Sequence, residues 1–345
     1  MHYTELYIDD LQNAMKTVPN LDSINNCNIF VTGATGMIGS AIVDMLLVAN
    51  NMKRLNNVIY IGARMLEKVE ERYKVLLQRK DIKFLLYDAT KNIEFDIDFD
   101  YIIHAASPAN PKLYSNEPVE TMLANFVGLA NILKYAKNHN TKRVCYVSSS
   151  EIYGKKPTDS AYREQDYGFL DILNPRACYP SSKRAAETLI ASYYQEYGVQ
   201  GVIVRPAYIF GPTLTADDVR ASSIFFKDVL SGHDIIMKSE GKQRRSYCYV
   251  VDGVTAIFTA MINGQAGEAY NIGNPNSTAS ICDLATEIAL QAGKKIIFEV
   301  PTDTEKKGYN LMDNSVLESS KLLTIGWKPL FDMKTGVSHT LKILE

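Results

Sequence analysis

The chain has 345 residues, 46% of them hydrophobic and 22% charged, and it is long enough to bury a large core. Its formal net charge of −2 provides no basic surface for a nucleic acid or an anionic membrane, and no apolar run approaches the length of a membrane span. Five scattered cysteines without a C-x-x-C pair argue against a disulfide framework and a zinc site. Because the start also lacks a signal-peptide pattern, we expect a soluble, cytoplasmic protein without a metal.

Residues 1–26 form an extension ahead of the first predicted strand. Four apolar residues share one helical face, namely Tyr7, Leu11, Met15 and Val18. This spacing predicts a helix that packs on the main body or on a second subunit. A flexible tail is the alternative.

From residue 28 to residue 206, short apolar strands alternate with amphipathic helices. The predicted strands are Asn28–Thr32, Val58–Ile61, Ile82–Tyr87, Tyr101–His104, Val144–Ser148 and Gly201–Arg205. The predicted helices begin near Met37 and then cover Leu66–Leu77, Val119–Lys137 and Ser181–Tyr197. Strands separated by helices of this length predict right-handed crossovers and an α/β fold with a doubly wound parallel sheet.

The turn after the first strand carries a glycine at every third position. In the sequence Gly33-Ala34-Thr35-Gly36-Met37-Ile38-Gly39, the first glycine permits a tight turn and the second lets a pyrophosphate approach the backbone. The third lets the helix pack closely on the strand, and the free N–H groups of the first helical turn favour an anion. This context indicates a dinucleotide site, although an ordinary flexible loop is the alternative.

The strand–helix alternation and the glycine-rich turn divide the chain into two domains. Residues 27–206 are assigned to a Rossmann-like NAD(P)-binding domain. Residues 207–345, which are punctuated by Gly and Pro, are assigned mainly to a smaller substrate lobe over the carboxyl ends of the strands. A part at about 247–273 is expected to return to the first domain.

The end of the second strand bears on the choice between NAD and NADP. An NAD site usually has an acidic residue here, but Gly62 and Ala63 occupy this place and Arg64 follows. Arg64 slightly favours NADP, unless it is a solvated residue that opens a helix. Asp88, after the third strand, is placed to meet the adenine ring or is an exposed loop residue.

A second constellation joins a serine at a strand end with a tyrosine and a lysine. Ser149 follows the fifth strand, and Tyr179 and Lys183 are four residues apart on one helical face. A lysine beside a phenol favours the phenolate and lowers its pKa. Such a tyrosine can act as a general base toward an alcohol while hydride leaves the carbon, with Ser149 holding the same oxygen.

Together these features resemble the extended short-chain dehydrogenase/reductases, within the group of nucleotide-sugar epimerases and dehydratases. The resemblance runs from about residue 28 to the end and rests on Gly33, Gly36, Gly39, His104–Pro108, Asn125, Ser149, Tyr179, Lys183 and Arg205–Pro212. The segments that look most like the UDP-glucuronate decarboxylase branch are Ala106–Ala109, Ser150–Gly154, Pro175–Tyr179 and Gln243–Tyr247.

The resemblance implies roles for individual residues. Tyr179 would be the catalytic base, Lys183 its electrostatic partner, Ser149 the donor to the oxidised oxygen, and Glu151 a group that assists chemistry at C5. The cofactor would meet Gly33, Thr35, Gly36, Met37, Ile38, Gly39, Arg64, Asp88, Ala89, Ala105, Ala106, Ser107, Asn125, Tyr179, Lys183, Pro206 and Ile209. The substrate would meet Pro108, Arg176, Tyr208, Arg220 and Arg245, with Arg245 facing its acidic part.

The implied activity starts with oxidation at C4 of a sugar on a nucleotide, which is UDP by analogy with that branch, and the first interpretation is a UDP-glucuronate decarboxylase. A nucleotide-sugar 4- or 5-epimerase and an NADPH-dependent 4-keto-sugar reductase are alternatives on the same fold. A non-catalytic NAD(P)-sensing protein is the alternative of another class. Ser150 stands where 4,6-dehydratases carry an aspartate, which argues against dehydration.

The family also implies a homodimer whose subunits meet through the helices Val119–Lys137 and Ser181–Tyr197. Two positions depart from the family pattern. Tyr208 replaces an asparagine that contacts the nucleotide diphosphate, and Gly308–Met312 lacks an arginine that many relatives place beside the sugar nucleotide. Both departures change the contacts expected to a UDP-sugar.

Overall fold

The computed structural model describes residues 3–302 and 312–345. The helices are α1 (Glu5–Met15), α2 (Met37–Lys53), α3 (Leu66–Tyr73), α4 (Pro111–Asn116), α5 (Pro118–Asn138), α6 (Cys178–Tyr197), α7 (Ala221–Leu230), α8 (Val250–Asn263), α9 (Ile281–Gln291), α10 (Ser320–Thr324) and α11 (Met333–Leu344). The strands are β1 (Asn28–Thr32), β2 (Val58–Ala63), β3 (Ile82–Leu86), β4 (Tyr101–His104), β5 (Arg143–Val147), β6 (Gly201–Pro206), β7 (Tyr208–Phe210), β8 (Ile235–Met237), β9 (Arg244–Tyr249), β10 (Ala269–Ile272), β11 (Thr278–Ser280), β12 (Ile296–Phe298) and β13 (Asn314–Ser315).

The main sheet has seven parallel strands in the order β10-β6-β5-β4-β1-β2-β3. The strand order reverses between β1 and β4, and the predicted doubly wound parallel sheet is confirmed. In open sheets of this kind, ligands bind beyond the carboxyl ends of the strands at such a reversal. The turns after β1 and β4 are therefore the natural place for a cofactor.

Helices cover both faces of the main sheet. Ile29 and Val31 of β1 belong to a buried cluster with residues of α2 and α8, whereas Phe30 belongs to one with residues of α5 and α6. This alternation follows from the two-residue period of a strand. Because both faces are covered, the strands are buried apolar runs, which is why they were recognisable in the sequence.

A second, smaller region follows β6. Strands β11, β9 and β13 form one sheet, to which β7 adds by pairing with β9, and β8 pairs with β12. After β9 the chain returns to the main sheet through α8 and β10, and β10 pairs with β6. The strand β7 begins two residues after β6 ends, and it brings β9 next to the carboxyl edge of the main sheet.

Most predicted elements between residues 28 and 206 agree with the structure to within three residues. The predicted helix Leu66–Leu77 is too long, because α3 ends at Tyr73. There the Leu76 and Leu77 N–H groups both donate to the Tyr73 carbonyl, and the chain turns. Leu76 still packs on the core, so the apolar spacing continues past the end of the helix.

The N-terminal extension contains a helix that is packed on the rest of the chain. Tyr7, Leu11 and Met15 of α1 are buried in the same cluster as residues of α2 and α8. The Thr4 hydroxyl caps the helix by accepting from the Tyr7 N–H. Within the described residues, no helix has both the length and the apolar character needed to cross a membrane.

Candidate active site

The glycine-rich turn lies at the carboxyl end of β1, against the turn that follows β4. Gly33 has a φ of +65°, and a Cβ there would lie 2.7 Å from the Ala105 oxygen and from the Ala106 nitrogen. A Cβ on Gly39 would lie 2.1 Å from the Gly33 oxygen. A Cβ on Gly36 would meet only that oxygen, at 3.4 Å, so this side of the turn is open. The turn therefore fits the pyrophosphate of a dinucleotide, with the N–H groups at the start of α2 as donors.

A buried hydrogen-bond chain fixes the two turns to each other. The Thr32 hydroxyl lies 2.8 Å from His104 Nδ1 and accepts from the Ala106 N–H. Burial, with a smaller effect of the nearby Lys183 charge, lowers the pKa of His104 to about 3. His104 is thus neutral at physiological pH, and its role here is to position the β4 turn.

The other cofactor residues of the first domain lie around this edge. Arg64 is exposed directly after β2, and its charge helps to lower the pKa of Asp88, although the Thr90 N–H lowers that pKa most. The Asp88 carboxylate accepts bonds from the Thr90 N–H and hydroxyl, so it is engaged within its own loop. Ala89 packs against Gly128 of α5.

Asn125 connects the β4 turn to the helix that carries the candidate base. Its side-chain oxygen accepts from the Ser107 hydroxyl at 2.7 Å, and its NH₂ group donates to the Ser182 hydroxyl at 3.0 Å. Ser182 in turn donates to the Tyr179 carbonyl. Asn125 is fully buried, so this link holds the start of α6 against the turn after β4. Pro108, in the same turn, is partly exposed.

Three further residues form an apolar wall. Ile38, Pro206 and Ile209 lie around one small cavity together with residues of α8 and β10. Ile38 comes from the start of α2, Pro206 from the end of β6, and Ile209 from β7 in the smaller sheet. The sequence assigned all three to the cofactor site, and the structure brings them together.

Tyr179 lies near the start of α6 and is buried. Burial and the neighbouring charge of Glu151 raise the pKa of its phenol to about 12, against hydrogen bonds from Ser149 and Tyr114 that lower it. Ser149 is the N-cap of the turn Ser150–Tyr153, and its hydroxyl oxygen accepts from the Glu151 N–H. The serine and the phenol predicted to share one substrate oxygen are therefore neighbours.

Lys183 lies one turn after Tyr179, as the spacing predicted, but its ammonium group is engaged elsewhere. Lys183 Nζ donates to the Val147 carbonyl at 2.8 Å and lies 4.6 Å from the centroid of the Tyr146 ring. Its distance to the centroid of the Tyr179 ring is 5.7 Å. Burial lowers the pKa of Lys183 to about 7. The largest effects that lower the pKa of Tyr179 here come from Ser149, Tyr114 and Arg220, whereas the sequence led us to expect Lys183 in that role.

A buried ion pair behind Lys183 was not singled out from the sequence. Glu187, one further turn along α6, pairs with Arg205 at 2.6 Å and accepts from the Ser148 hydroxyl. The Glu187 charge opposes the fall in the pKa of Lys183. Arg205 also donates to the Tyr153 hydroxyl at 2.8 Å. The i, i+4 spacing of Lys183 and Glu187 was the available signal in the sequence.

Tyr114 is the second residue that sequence analysis missed. It lies on α4, is buried, and stacks on the Tyr179 ring with the centroids 4.5 Å apart. The Arg176 guanidinium lies 4.7 Å from the centroid of the Tyr114 ring. Arg176 also donates to both oxygens of Glu151, at 3.1 and 3.4 Å. Glu151, Arg176, Tyr114 and Tyr179 thus form one cluster at the carboxyl edge.

Two more arginines were assigned to the substrate. Arg220 pairs with Asp218 at 2.6 Å and also donates to the Met37 sulfur, and its charge reaches Tyr179. Arg245 lies on β9 with 2% of its surface exposed, and its guanidinium is 5.0 Å from the centroid of the Tyr208 ring. Tyr208, the residue that departs from the family pattern, therefore covers an arginine.

The hydrogen bonds of Arg245 go to main-chain atoms. Its Nη1 donates to the Arg244 and Met312 carbonyls, at 3.0 and 2.9 Å. Its Nε is buried and has no partner within residues 3–302 and 312–345, and no carboxylate of those residues forms an ion pair with it. Of the other departure, Gly308–Met312, only Met312 belongs to the described residues.

Nothing in the described ranges suggests a metal centre, because no three His, Cys, Asp or Glu side chains there are grouped to hold an ion. The chemistry available at this edge is that of a buried phenol, a serine hydroxyl, a lysine of lowered pKa, and a carboxylate paired with an arginine. The turn beside them fits a dinucleotide. This combination suits proton and hydride transfer at a carbon that carries a hydroxyl group.

Known proteins resemble this chain in sequence. The sequence model of the NAD dependent epimerase/dehydratase family matches residues 29–273. UDP-glucuronic acid decarboxylase 6 of Arabidopsis thaliana is 29% identical over 316 residues, which cover 91% of this chain and 87% of the plant protein. UDP-glucuronic acid decarboxylase 1 of Xenopus tropicalis is 28% identical over 316 residues, which cover 91% of this chain and 71% of the frog protein.

Solved structures show the same fold. A dTDP-glucose 4,6-dehydratase from Bacillus anthracis in complex with NAD superposes with a TM-score of 0.77 at 20% identity, covering 92% of this chain and 96% of that one. A UDP-glucuronic acid 4-epimerase from Bacillus cereus, in complex with UDP-glucuronic acid and NAD, gives a TM-score of 0.76 at 21% identity, covering 92% and 98%.

Proposed function

The chain belongs to the NAD-dependent epimerase/dehydratase family and is an NAD-dependent enzyme that modifies nucleotide sugars, and we propose that it decarboxylates a nucleotide-linked uronic acid. UDP-glucuronate is the substrate that its relatives suggest, since several of them are named UDP-glucuronic acid decarboxylases. NAD, which the glycine-rich turn Gly33–Gly39 would hold, would accept the hydride from C4 of the sugar and return it at the end. The residues of this chain have to hold the sugar, move its protons and tolerate its carboxylate.

Tyr179 is the base for the first step. As phenolate it takes the proton of the C4 hydroxyl, while the Ser149 hydroxyl donates to the same oxygen. The resulting ketone makes the C5 carboxylate part of a β-keto acid, which loses CO₂ and leaves an enolate. The enolate takes a proton at C5 from water, and the ketone is then reduced to the alcohol as the hydride returns to C4 and Tyr179 returns its proton to the oxygen. Glu151 is the carboxylate assigned to the chemistry at C5.

The observation that carries the proposal is the buried charge of Arg245, which has no ionic partner within residues 3–302 and 312–345. A buried cation without an ionic partner is costly, and a carboxylate that meets a planar guanidinium offsets that cost. Among the described residues the guanidinium of Arg245 has only main-chain acceptors and the Tyr208 ring. A uronic acid brings the missing negative charge, whereas a neutral hexose does not.

The test supplies the purified enzyme with UDP-glucuronate and NAD and measures released CO₂ and the nucleotide product. Release of CO₂ with a pentose nucleotide is the expected result. Conversion of UDP-glucose with UDP-glucuronate left unchanged contradicts the decarboxylase and favours a hexose epimerase. Conversion of UDP-glucuronate into another uronic acid nucleotide, without CO₂, identifies an epimerase that acts on the same substrate.

A matched pair of variants tests the role of Arg245. Arg244 is its exposed neighbour on β9, so Arg244→Lys makes the same exchange one residue away and should leave KM and turnover within about threefold. Arg245→Lys keeps the buried charge but loses the planar fork, and it should raise KM for UDP-glucuronate by about tenfold or more. Equal kinetics in the two variants would remove Arg245 from the substrate site.

We also propose that the enzyme is a homodimer. On α5, Val119, Met122, Leu123 and Phe126 follow the helical spacing i, i+3, i+4 and i+7, and between 40% and 61% of each is exposed. Tyr194 and Tyr197 of the neighbouring α6 are exposed as well. Such a stripe is typical of a helix that packs on a partner. Phe126→Glu should yield a monomer in size-exclusion chromatography with light scattering, whereas a monomeric wild-type protein would contradict the proposal.

A further inference from the structure

A buried hydrogen bond connects α3 to the glycine-rich turn. The Tyr73 hydroxyl donates to the Ala34 carbonyl at 2.5 Å, and both residues are fully buried. Tyr73 is the last residue of α3, and Ala34 lies between the first two glycines of the turn. The bond therefore joins the helix that follows β2 to the loop that fits the pyrophosphate.

Tyr73 is itself held by a cluster that reaches the N-terminal helix. The Arg72 guanidinium lies 5.0 Å from the centroid of the Tyr73 ring and forms an ion pair with Asp44 of α2. Asp44 also accepts hydrogen bonds from the Tyr3 and Tyr7 hydroxyls, each at 2.9 Å. Burial raises the pKa of the Tyr73 phenol well above its ordinary value, so it remains a donor at any working pH. Residues ahead of β1 thus help to fix the place of this hydroxyl.

The direction of the Ala34 carbonyl determines the direction of the next N–H group. The peptide between Ala34 and Thr35 is trans, as are the other described peptides, and the C=O and N–H groups of a trans peptide point in opposite directions. Because the Ala34 oxygen is held toward α3, the Thr35 N–H points away from α3. The N–H groups of the first turn of α2 are the other main-chain donors near this turn.

We propose that Tyr73 is a positioning residue for the cofactor, which fixes the Ala34–Thr35 peptide so that the Thr35 N–H is directed at the pyrophosphate of NAD. Arg72, Asp44 and the two tyrosines near the N-terminus support it. This gives the N-terminal extension a function in cofactor binding. The proposal needs only that the site binds NAD, and it is independent of which sugar nucleotide the enzyme converts.

The test is Tyr73→Phe in the full-length protein, stripped of cofactor and titrated with NADH by fluorescence. The ring and its contact with Arg72 remain, so only the bond to Ala34 is lost. The Kd for NADH should rise about two- to tenfold, the range expected for one net hydrogen bond. Amide hydrogen exchange in the peptide that contains Thr35 should also become faster.

The matched control is Tyr135→Phe, which removes a buried hydroxyl that donates to the Ile97 carbonyl, a bond of the same kind outside this cluster. It should lower the midpoint of urea unfolding and leave the Kd for NADH within about twofold of the wild type. An unchanged Kd in Tyr73→Phe, or an equal rise in both variants, overturns the proposal. If Tyr73→Phe does not fold, Arg72→Lys replaces it, because a lysine keeps the charge facing Asp44 but not the planar contact with Tyr73. Unchanged NADH affinity in Arg72→Lys then overturns the proposal.

Discussion

The rings of Tyr114 and Tyr179 are stacked, with their centroids 4.5 Å apart and their planes 18° apart. The Tyr114 hydroxyl hydrogen-bonds to the Tyr179 phenol and lowers its pKa, against the burial that raises it to about 12. In this structure Tyr114 and Ser149 thus lower the pKa of Tyr179, an effect that the sequence led us to expect of Lys183. Helix α4, which carries Tyr114, is thereby coupled to the candidate base.

Removing the Tyr114 hydroxyl should slow the reaction through the base. In Tyr114→Phe the stacked ring remains, but the pKa of Tyr179 rises, so the ascending limb of kcat/KM against pH should move to higher pH. One net hydrogen bond corresponds to about half a pH unit to one unit, so activity at pH 7 should fall about three- to tenfold. The pH–rate profile provides the measurement.

Tyr114→Leu separates the ring from the hydroxyl. If the ring also positions Tyr179, this variant should lose clearly more activity than Tyr114→Phe at every pH. A profile that is the same in wild type and Tyr114→Phe would show that the hydroxyl does not act on the base.

Tyr179→Phe should abolish most turnover while the fold and cofactor binding remain. Loss of a general base lowers turnover by about a hundredfold or more. The variant keeps the ring that stacks on Tyr114, so its thermal midpoint and its NADH Kd should stay close to those of the wild type. Single-turnover rates and NADH titration together provide the check, and activity within a few-fold of the wild type would remove Tyr179 from the mechanism.

The sheet and the glycine-rich turn could be predicted because both leave local patterns. A parallel strand covered on both faces is an apolar run, and the turn needs glycine where Gly33 has a positive φ and where Gly39 packs against the Gly33 carbonyl. The spacing of Tyr179 and Lys183 similarly follows from one helical turn. These features depend on neighbours in the sequence.

The features that could not be predicted from the sequence depend on tertiary contacts. Tyr114 reaches Tyr179 only because α4 folds over the start of α6, and nothing near residue 114 in the sequence signals this. The Lys183 ammonium group points toward the Val147 carbonyl and the Tyr146 ring, which belong to β5 and are distant from Lys183 in the sequence. The end of α3 was missed because Leu76 packs on the core from a turn as it would from a helix.

Arg64 should discriminate between the two cofactors. It is exposed at the end of β2, where an acidic residue would otherwise hold the ribose hydroxyl, and a guanidinium can hold a 2′-phosphate. Arg64→Ala should therefore weaken NADPH binding by about tenfold, the value of a charge-assisted hydrogen bond, and leave NADH binding nearly unchanged. Parallel fluorescence titrations measure both constants. Equal changes for the two cofactors would show that Arg64 reads no phosphate.

Lys183 should make the stability of the cofactor-free enzyme depend on pH. Burial lowers its pKa to about 7 in the folded protein, whereas an unfolded lysine has a pKa near 10.5. Between these values the unfolded chain binds the proton and the folded protein does not, so the free energy of unfolding rises with pH, by at most about 1.4 kcal/mol per pH unit.

Lys183→Met lacks this contribution. The difference in unfolding free energy, wild type minus variant, should therefore grow between about pH 7 and pH 9 and stay flat below about pH 6. Urea unfolding at several pH values measures it, and the exposed Lys74, changed to Met, serves as the control with a flat difference. A difference that is also flat for Lys183→Met would mean that the buried lysine keeps its ordinary pKa, and that its charge is available to Tyr179 before the cofactor binds.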